Sequence, residues 1–188
     1  MAFFPTRDSR ATGSSIKLKL REVAQLFNSL DPSPFTEQDL DHDAEEFIVS
    51  WARELPRHHE LRLVLTVERA LPAGQTAEAV GGAIRHYFDY RESISRLELR
   101  DFLKRGRTSL VIGTAFLAGC LLLGQAIGRQ RVGVPFWTIA QEGLTIIGWV
   151  AMWRPLEIYL YDWWPLWRRR ALLLRLGRMK VEVIAPRA

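Results

Sequence analysis

The stretch Thr108 to Ile127 reads TSLVIGTAFLAGCLLLGQAI, and it decides how the rest of the chain is read. It holds 20 residues without a formal charge, and Gln125 is its one strongly polar side chain. About 20 apolar residues in helical form cross the hydrocarbon core of a bilayer. A first transmembrane span over 108–127 is the expectation. A second apolar run, Phe136 to Trp153, follows after only eight residues, which include Arg129, Arg131, Gly133 and Pro135. A connection that short suits a tight turn. Residues 108–153 are therefore expected to form a two-helix transmembrane hairpin, 108–127 and 136–153, with both ends on one side.

Charge is segregated around this apolar middle. Residues 1–99 carry 12 Lys and Arg against 16 Asp and Glu, whereas residues 154–188 carry eight against three. The formal net charge of +5 thus describes basic flanks beside an acidic N-terminal half. A nucleic-acid surface would place its cations on a folded face of that half, so nucleic acid is not an expected partner. Cations beside apolar segments instead meet anionic lipid headgroups. Lys104, Arg105 and Arg107 precede the first span, and Arg154, Arg168, Arg169 and Arg170 follow the second. The turn holds two arginines. The excess places both termini in the cytoplasm by the positive-inside rule, giving a multi-pass protein of the cell membrane.

On either side of the hairpin the sequence reads as pieces of one small α/β domain. Residues 1–15 lack any period and are expected to form a flexible tail, and Met1 to Arg10 lacks the long apolar core of a secretory signal. Ile16-Lys17-Leu18-Lys19-Leu20 alternates as a half-buried strand does. Leu61, Leu63, Leu65 and Val67 alternate with Arg62, Val64, Thr66 and Glu68 in a second strand. Between them, Thr36 is placed to cap a helix whose apolar face is Leu40, Ala44, Phe47, Ile48, Trp51 and Leu55, ended by Pro56. A second helix starts near Thr76, buries Val80, Ile84, Tyr87 and Phe88, and meets no turn signal before Gly106. Glu92 with Arg96 and Asp101 with Arg105 stand in the favourable i,i+4 order. Met179, Val181 and Val183 form a short C-terminal strand that needs partners. The expected architecture is an α+β membrane protein. A cytoplasmic domain with juxtamembrane helix (16–107) has about three strands and two helices. An interfacial helix (154–177) follows the hairpin, and 178–188 returns to close the sheet.

Residues 155–167 carry an aromatic stripe, with Pro155 at a helix start, where its missing N–H costs least. Trp153, Trp163, Trp164 and Trp167 suit the headgroup level, where one edge of the ring is wet and the rest apolar. With Lys104, Arg105, Arg107, Arg168, Arg169 and Arg170 they are the expected membrane anchors.

Few residues offer chemistry. Glu142 lies roughly 9 Å into the second helix at 1.5 Å per residue. A charge at membrane depth costs at least about 2–3 kcal/mol, so Gln125 or Arg129 is expected to offset it. Gln125, Gln141 and Glu142 are the intramembrane polar candidates, and Arg154, Glu157 and Asp162 form a candidate rim at the interface. Asp39-Leu-Asp41-His42-Asp43 begins like a calcium loop but has Ala44 and Ser50 where that loop needs Gly and Glu. Asp39, His42 and Glu46 would share one helix face, which reads as solvated. Cys120, the single cysteine, reads as a small packing residue. Gly124 and Gly128 match a helix-packing motif. No catalytic constellation, metal set or cofactor motif is found. The function expected is a non-catalytic subunit, scaffold or adaptor of a membrane complex, associated with the bilayer and with another membrane protein or further copies. One alternative is an oligomeric ion, proton or small-solute transport component using Glu142. The other is a membrane-surface enzyme using the Arg154/Glu157/Asp162 rim.

Overall fold

The alternation of Ile16–Leu20 and Leu61–Val67 turns one apolar row of each segment to the same side, and pairing the rows buries both. In a computed structural model, which describes residues 15–56, 59–72, 74–130 and 135–186, these segments are β1 (Ser15–Leu20) and β2 (Arg62–Val67). They pair in parallel with Ile16 opposite Leu63, Leu18 opposite Leu65 and Leu20 opposite Val67. The C-terminal strand β3 (Lys180–Ile184) pairs in parallel with the other edge of β2, with Val181 beside Leu63 and Val183 beside Leu65. The fold is α+β, with three strands in the order β1-β2-β3. The expected tail lies outside the described residues save for Ser15, as do residues 131–134 of the expected turn.

Parallel strands need crossovers, usually helical. The first crossover contains α1 (His42–Glu54), and the second contains α2 (Ala77–Gln130), α3 (Pro135–Glu157) and α4 (Trp163–Gly177). The chain divides into two compact units. The first comprises the residues up to Ser95 and those from Arg169 onward; the second is Arg96–Arg168.

The core of the first unit lies on one face of the sheet. Ile16, Leu18, Leu63 and Leu65 meet Ala44 and Ile48 of α1, Val80, Ile84 and Phe88 of α2, and Leu173 and Leu176 of α4. Gly81 lets α2 come close to the sheet: a Cβ there would stand 3.3 Å from Cβ of Val181. The opposite face is open and carries Lys17, Lys19, Arg62, Lys180 and Glu182.

Two expectations are corrected. The first is the start of α1. It begins at His42 with Asp41 as its cap, the Asp41 carboxylate accepting from the Asp43 N–H at 3.1 Å. Thr36 lies in a turn. The backbone ahead of α1 is committed elsewhere: Asn28 N–H donates to the Asp39 carbonyl at 2.8 Å, and Asp41 N–H to the Leu26 carbonyl at 2.9 Å. Leu40 thus sits in a β-bridge with Phe27 rather than on the helix. Asp39 falls outside α1 too, so it shares no helix face with His42 and Glu46.

The second is the break at Pro155. The structure has Pro155 inside α3 and buried, and the helix continues through a π-turn, Ile158–Asp162, into α4. A helix therefore does not start at Pro155. The wider i→i+5 spacing of the π-turn is a known way for a helix to absorb irregular hydrogen bonding.

Of the two expected spans, one meets the length and composition needed to cross a membrane among the described residues. It is the apolar part of α2, and only 17% of that window is buried. A core helix of the same composition would be mostly covered. α3 falls short because Gln141 and Glu142 interrupt it.

The loop ahead of α1 yields a pH prediction. The Asp31 carboxylate accepts from the Asp39 N–H at 2.7 Å and the Ser33 N–H at 3.0 Å, and these bonds hold its pKa below the ordinary aspartate value. A carboxyl depressed in the folded state stabilises it fully above the unfolded value, about pH 4, and loses that contribution as pH falls through the folded value. Asp31→Asn should lower the unfolding midpoint at neutral pH, and the gap from the unmodified chain should close in acid. A gap unchanged down to about pH 2 would contradict this role.

Candidate functional site

Within the second unit, α2 and α3 pack antiparallel along a seam of small residues. Gly106 lies against Ile158, where a Cβ would stand 2.7 Å from Cγ2. Gly113 lies under Ala151, Met152 and Pro155, with the Ala151 carbonyl oxygen 3.2 Å from a built Cβ. On the facing helix, a Cβ at Gly148 would stand 2.8 Å from Leu117 Cδ1 and 3.2 Å from Cys120 Cβ. Gly124 and Gly128 both face Gln141, whose Oε1 is 2.9 Å from a Cβ built on Gly128. As one helix number rises the other falls, which is the antiparallel signature. Cys120 is buried in the seam as a packing residue.

With glycines facing inward, many of the large apolar side chains face outward. Val111 is 69% exposed, Leu122 67%, Ile139 68% and Trp153 72%. Polar side chains are turned out with them. Gln125 and Glu142 are exposed, and no hydrogen bond or ion pair joins Glu142 to Gln125 or Arg129 among the described residues. The offset expected for Glu142 is therefore not supplied by the first span. Gln141, one residue earlier, is the polar group that the seam takes in.

The rim residues do converge. Arg154 donates to Glu157 at 2.9 Å and to Asp162 at 3.4 Å. In an ideal α-helix eight residues leave a face ~80° behind at ~100° per residue. The π-turn between them unwinds the helix and brings Asp162 back toward Arg154. The cluster is partly exposed, with Arg154 satisfied by two carboxylates. It is an ion-pair clasp of one guanidinium and two carboxylates.

The expected membrane anchors part company. Lys104, Arg105 and Arg107 are exposed on α2. Trp163, Trp164 and Trp167 form one aromatic cluster, with Trp163 Nε1 donating to the Tyr159 carbonyl at 2.8 Å. Arg168 lies over the Trp164 ring at 5.1 Å, a cation–π contact. Arg170 is ion-paired. It donates to Glu92 at 2.7 Å with both side chains largely buried, tying α4 to α2 inside the first unit. Glu92 is thereby taken from its expected i,i+4 partner Arg96. Asp101 likewise forms no ion pair with Arg105 among the described residues.

The first unit holds a polar network with no signal in the sequence. Glu45 accepts from the Tyr87 hydroxyl at 2.8 Å and from Arg91 at 2.7 Å. Burial first, then the bond to Glu45, pushes the Tyr87 pKa well above its ordinary value. Tyr87 therefore stays a donor across the physiological range. Beside this network, α1, α2 and α4 enclose a pocket of about 180 Å³ that Arg53, Arg91 and Arg169 line together. Arg169, expected at a membrane surface, is one of its walls. Only the meeting of three helices distant in sequence makes this site, so spacing alone gives no hint of it.

Comparison with known proteins gives no matching family model, no similar curated protein and no similar solved structure.

The seam makes a graded prediction. Gly148→Val should cost about 1–3 kcal/mol through overpacking against Leu117 and Cys120. Gly143, which has open space around it, should accept Ala with little change. Thermal unfolding of the purified chain in detergent separates the two. Equal midpoints for both variants would mean the seam does not hold the helices together.

Proposed function

We propose that the chain is an integral protein of the cell membrane, in which α2 and α3 cross the bilayer as a two-pass hairpin with both termini in the cytoplasm. Its role on this reading is that of a non-catalytic subunit, scaffold or adaptor. The first unit offers the interaction surface, and the hairpin associates with another membrane protein or with further copies.

The observation that carries the reading is the outward-facing apolar surface of the second unit. So many large exposed apolar residues on one unit mark a surface that another molecule or a membrane covers. Val111, Ile112, Leu122 and Leu123 on α2 and Ile139, Ile146, Val150 and Trp153 on α3 are all more than half exposed. Lipid tails cover such a surface without cost. The antiparallel seam supports a second crossing by α3: α2 brings α3 alongside it, so both share one surroundings. Arg100, Lys104 and Arg107 share an open groove on α2 with Val111 and Ile112, where a basic headgroup-level band would meet the apolar core. The scaffold role draws support from the rim, whose polar groups are engaged in ion pairs rather than poised for chemistry.

A second reading has one specific observation behind it. Glu142 faces outward from the hairpin. In a bilayer such a carboxylate needs a partner from another helix or remains neutral. An oligomer that gathers these carboxylates would be an ion or proton pathway.

The proposal is tested by expressing the full chain and washing isolated membranes with alkaline carbonate. The chain should stay in the pellet and leave it only with detergent. Protease added outside sealed, right-side-out vesicles should leave both termini intact. Release by carbonate would refute integral insertion, and cleavage of one terminus would refute the two-pass topology.

A further inference from the structure

We propose that the first unit binds a phosphate group in the pocket bounded by α1, α2 and α4, with Arg53, Arg91 and Arg169 as its ligands. This site is independent of how the second unit meets the membrane.

Three arginines line one partly open space of about 180 Å³, together with His42, Glu45 and Glu46. Drug-sized ligands occupy pockets of ≈ 300–1,000 Å³, so this one suits a small group. Arg91 is held in place: it donates to Glu45 at 2.7 Å and lies near the Tyr87 ring at 5.9 Å. That ion pair engages one terminal nitrogen of its fork and leaves the remaining donors available to the pocket. Glu45 has both carboxylate oxygens occupied, one by Arg91 and one by Tyr87. It therefore neutralises Arg91, and it makes no ion pair with Arg53 or Arg169 among the described residues.

Arg53 from α1 and Arg169 from α4 line the same pocket without an ion pair among the described residues. Like charges brought to one site repel unless an anion lies between them. Glu46 also lines the pocket, yet it pairs with neither arginine. A tetrahedral oxyanion matches the guanidinium fork geometrically, accepting paired N–H bonds from more than one arginine at once. The floor of Leu172 and Leu173 leaves room for a small organic portion beside the phosphate.

The test uses the full chain in a neutral detergent. It is titrated with inorganic phosphate and, separately, with glycerol phosphate, at ionic strength held constant with sodium chloride. Binding is read by calorimetry and by the thermal unfolding midpoint. The expected result is saturable binding of at least one of these probes. Binding of both marks a free phosphate group as sufficient; binding of glycerol phosphate alone marks an organic phosphate resting on the leucine floor. The double variant Arg53→Gln/Arg169→Gln should weaken binding by about tenfold or more, as loss of charged hydrogen bonds does. Glu46→Gln should tighten it by removing a competing anion. Unliganded unfolding midpoints establish that both variants fold. No saturable response to either probe, or a response that the folded double variant retains, overturns the proposal.

Discussion

The close contact of α2 with α3 is the constraint on which the second unit depends. A side chain at Gly106 or Gly148 would collide with the facing segment, and one at Gly113 would crowd it. Backbones that approach this closely gain dispersion contacts along their length. They do so using residues with almost no side chain to bury. Many large aliphatic and aromatic groups of both helices are left pointing outward. In water that arrangement forfeits the hydrophobic driving force, worth roughly 25 cal/mol for each Å² of apolar surface left exposed. In a bilayer the outward groups lose nothing, and small residues at the helix interface are the usual means of association. The seam thus favours the proposed membrane setting on energetic grounds.

The first unit has a complementary logic. β2 and β3 are neighbours in the sheet although the whole second unit lies between them in sequence. The sheet cannot close until α2 and α3 have been made and α4 has led the chain back. Arg170 with Glu92 and the buried Leu173 and Leu176 tie the returning helix to the core. Breaking a largely buried pair such as Arg170–Glu92 from one side leaves an uncompensated charge. The same return brings Arg169 beside Arg53 and Arg91, so the arginine pocket exists only once the sheet is complete.

Much of this was legible in the sequence where a short-range period decides the structure. The strand at 61–68 and the strand near 179–184 follow from alternation, and the apolar part of α2 from its composition. Their pairing into one sheet followed from the need of the short last strand for partners. Two kinds of feature were not legible. The start of α1 depends on backbone bonds between residues 26–28 and 39–41, a pairing that no local propensity shows, so Thr36 looked like a cap and was not one. The fate of charged residues depends on tertiary neighbours. Arg168, Arg169 and Arg170 are one basic run in the sequence, yet one lies over an indole, one lines a pocket and one is ion-paired to Glu92 at partial burial. Gly124 and Gly128 matched a packing motif too short to be decisive, and Gly106, Gly113 and Gly148, which lie on the same seam, match no short motif.

The central claim is that lipid covers the outward apolar surface of the second unit. Nitroxide labels at Ile112, Phe116, Leu123 and Val150 in the full chain reconstituted into bilayers measure this directly. High collision rates with oxygen and low rates with a polar nickel relaxant at all four sites are the predicted result. High access to the nickel relaxant would place those sites in water and contradict the account.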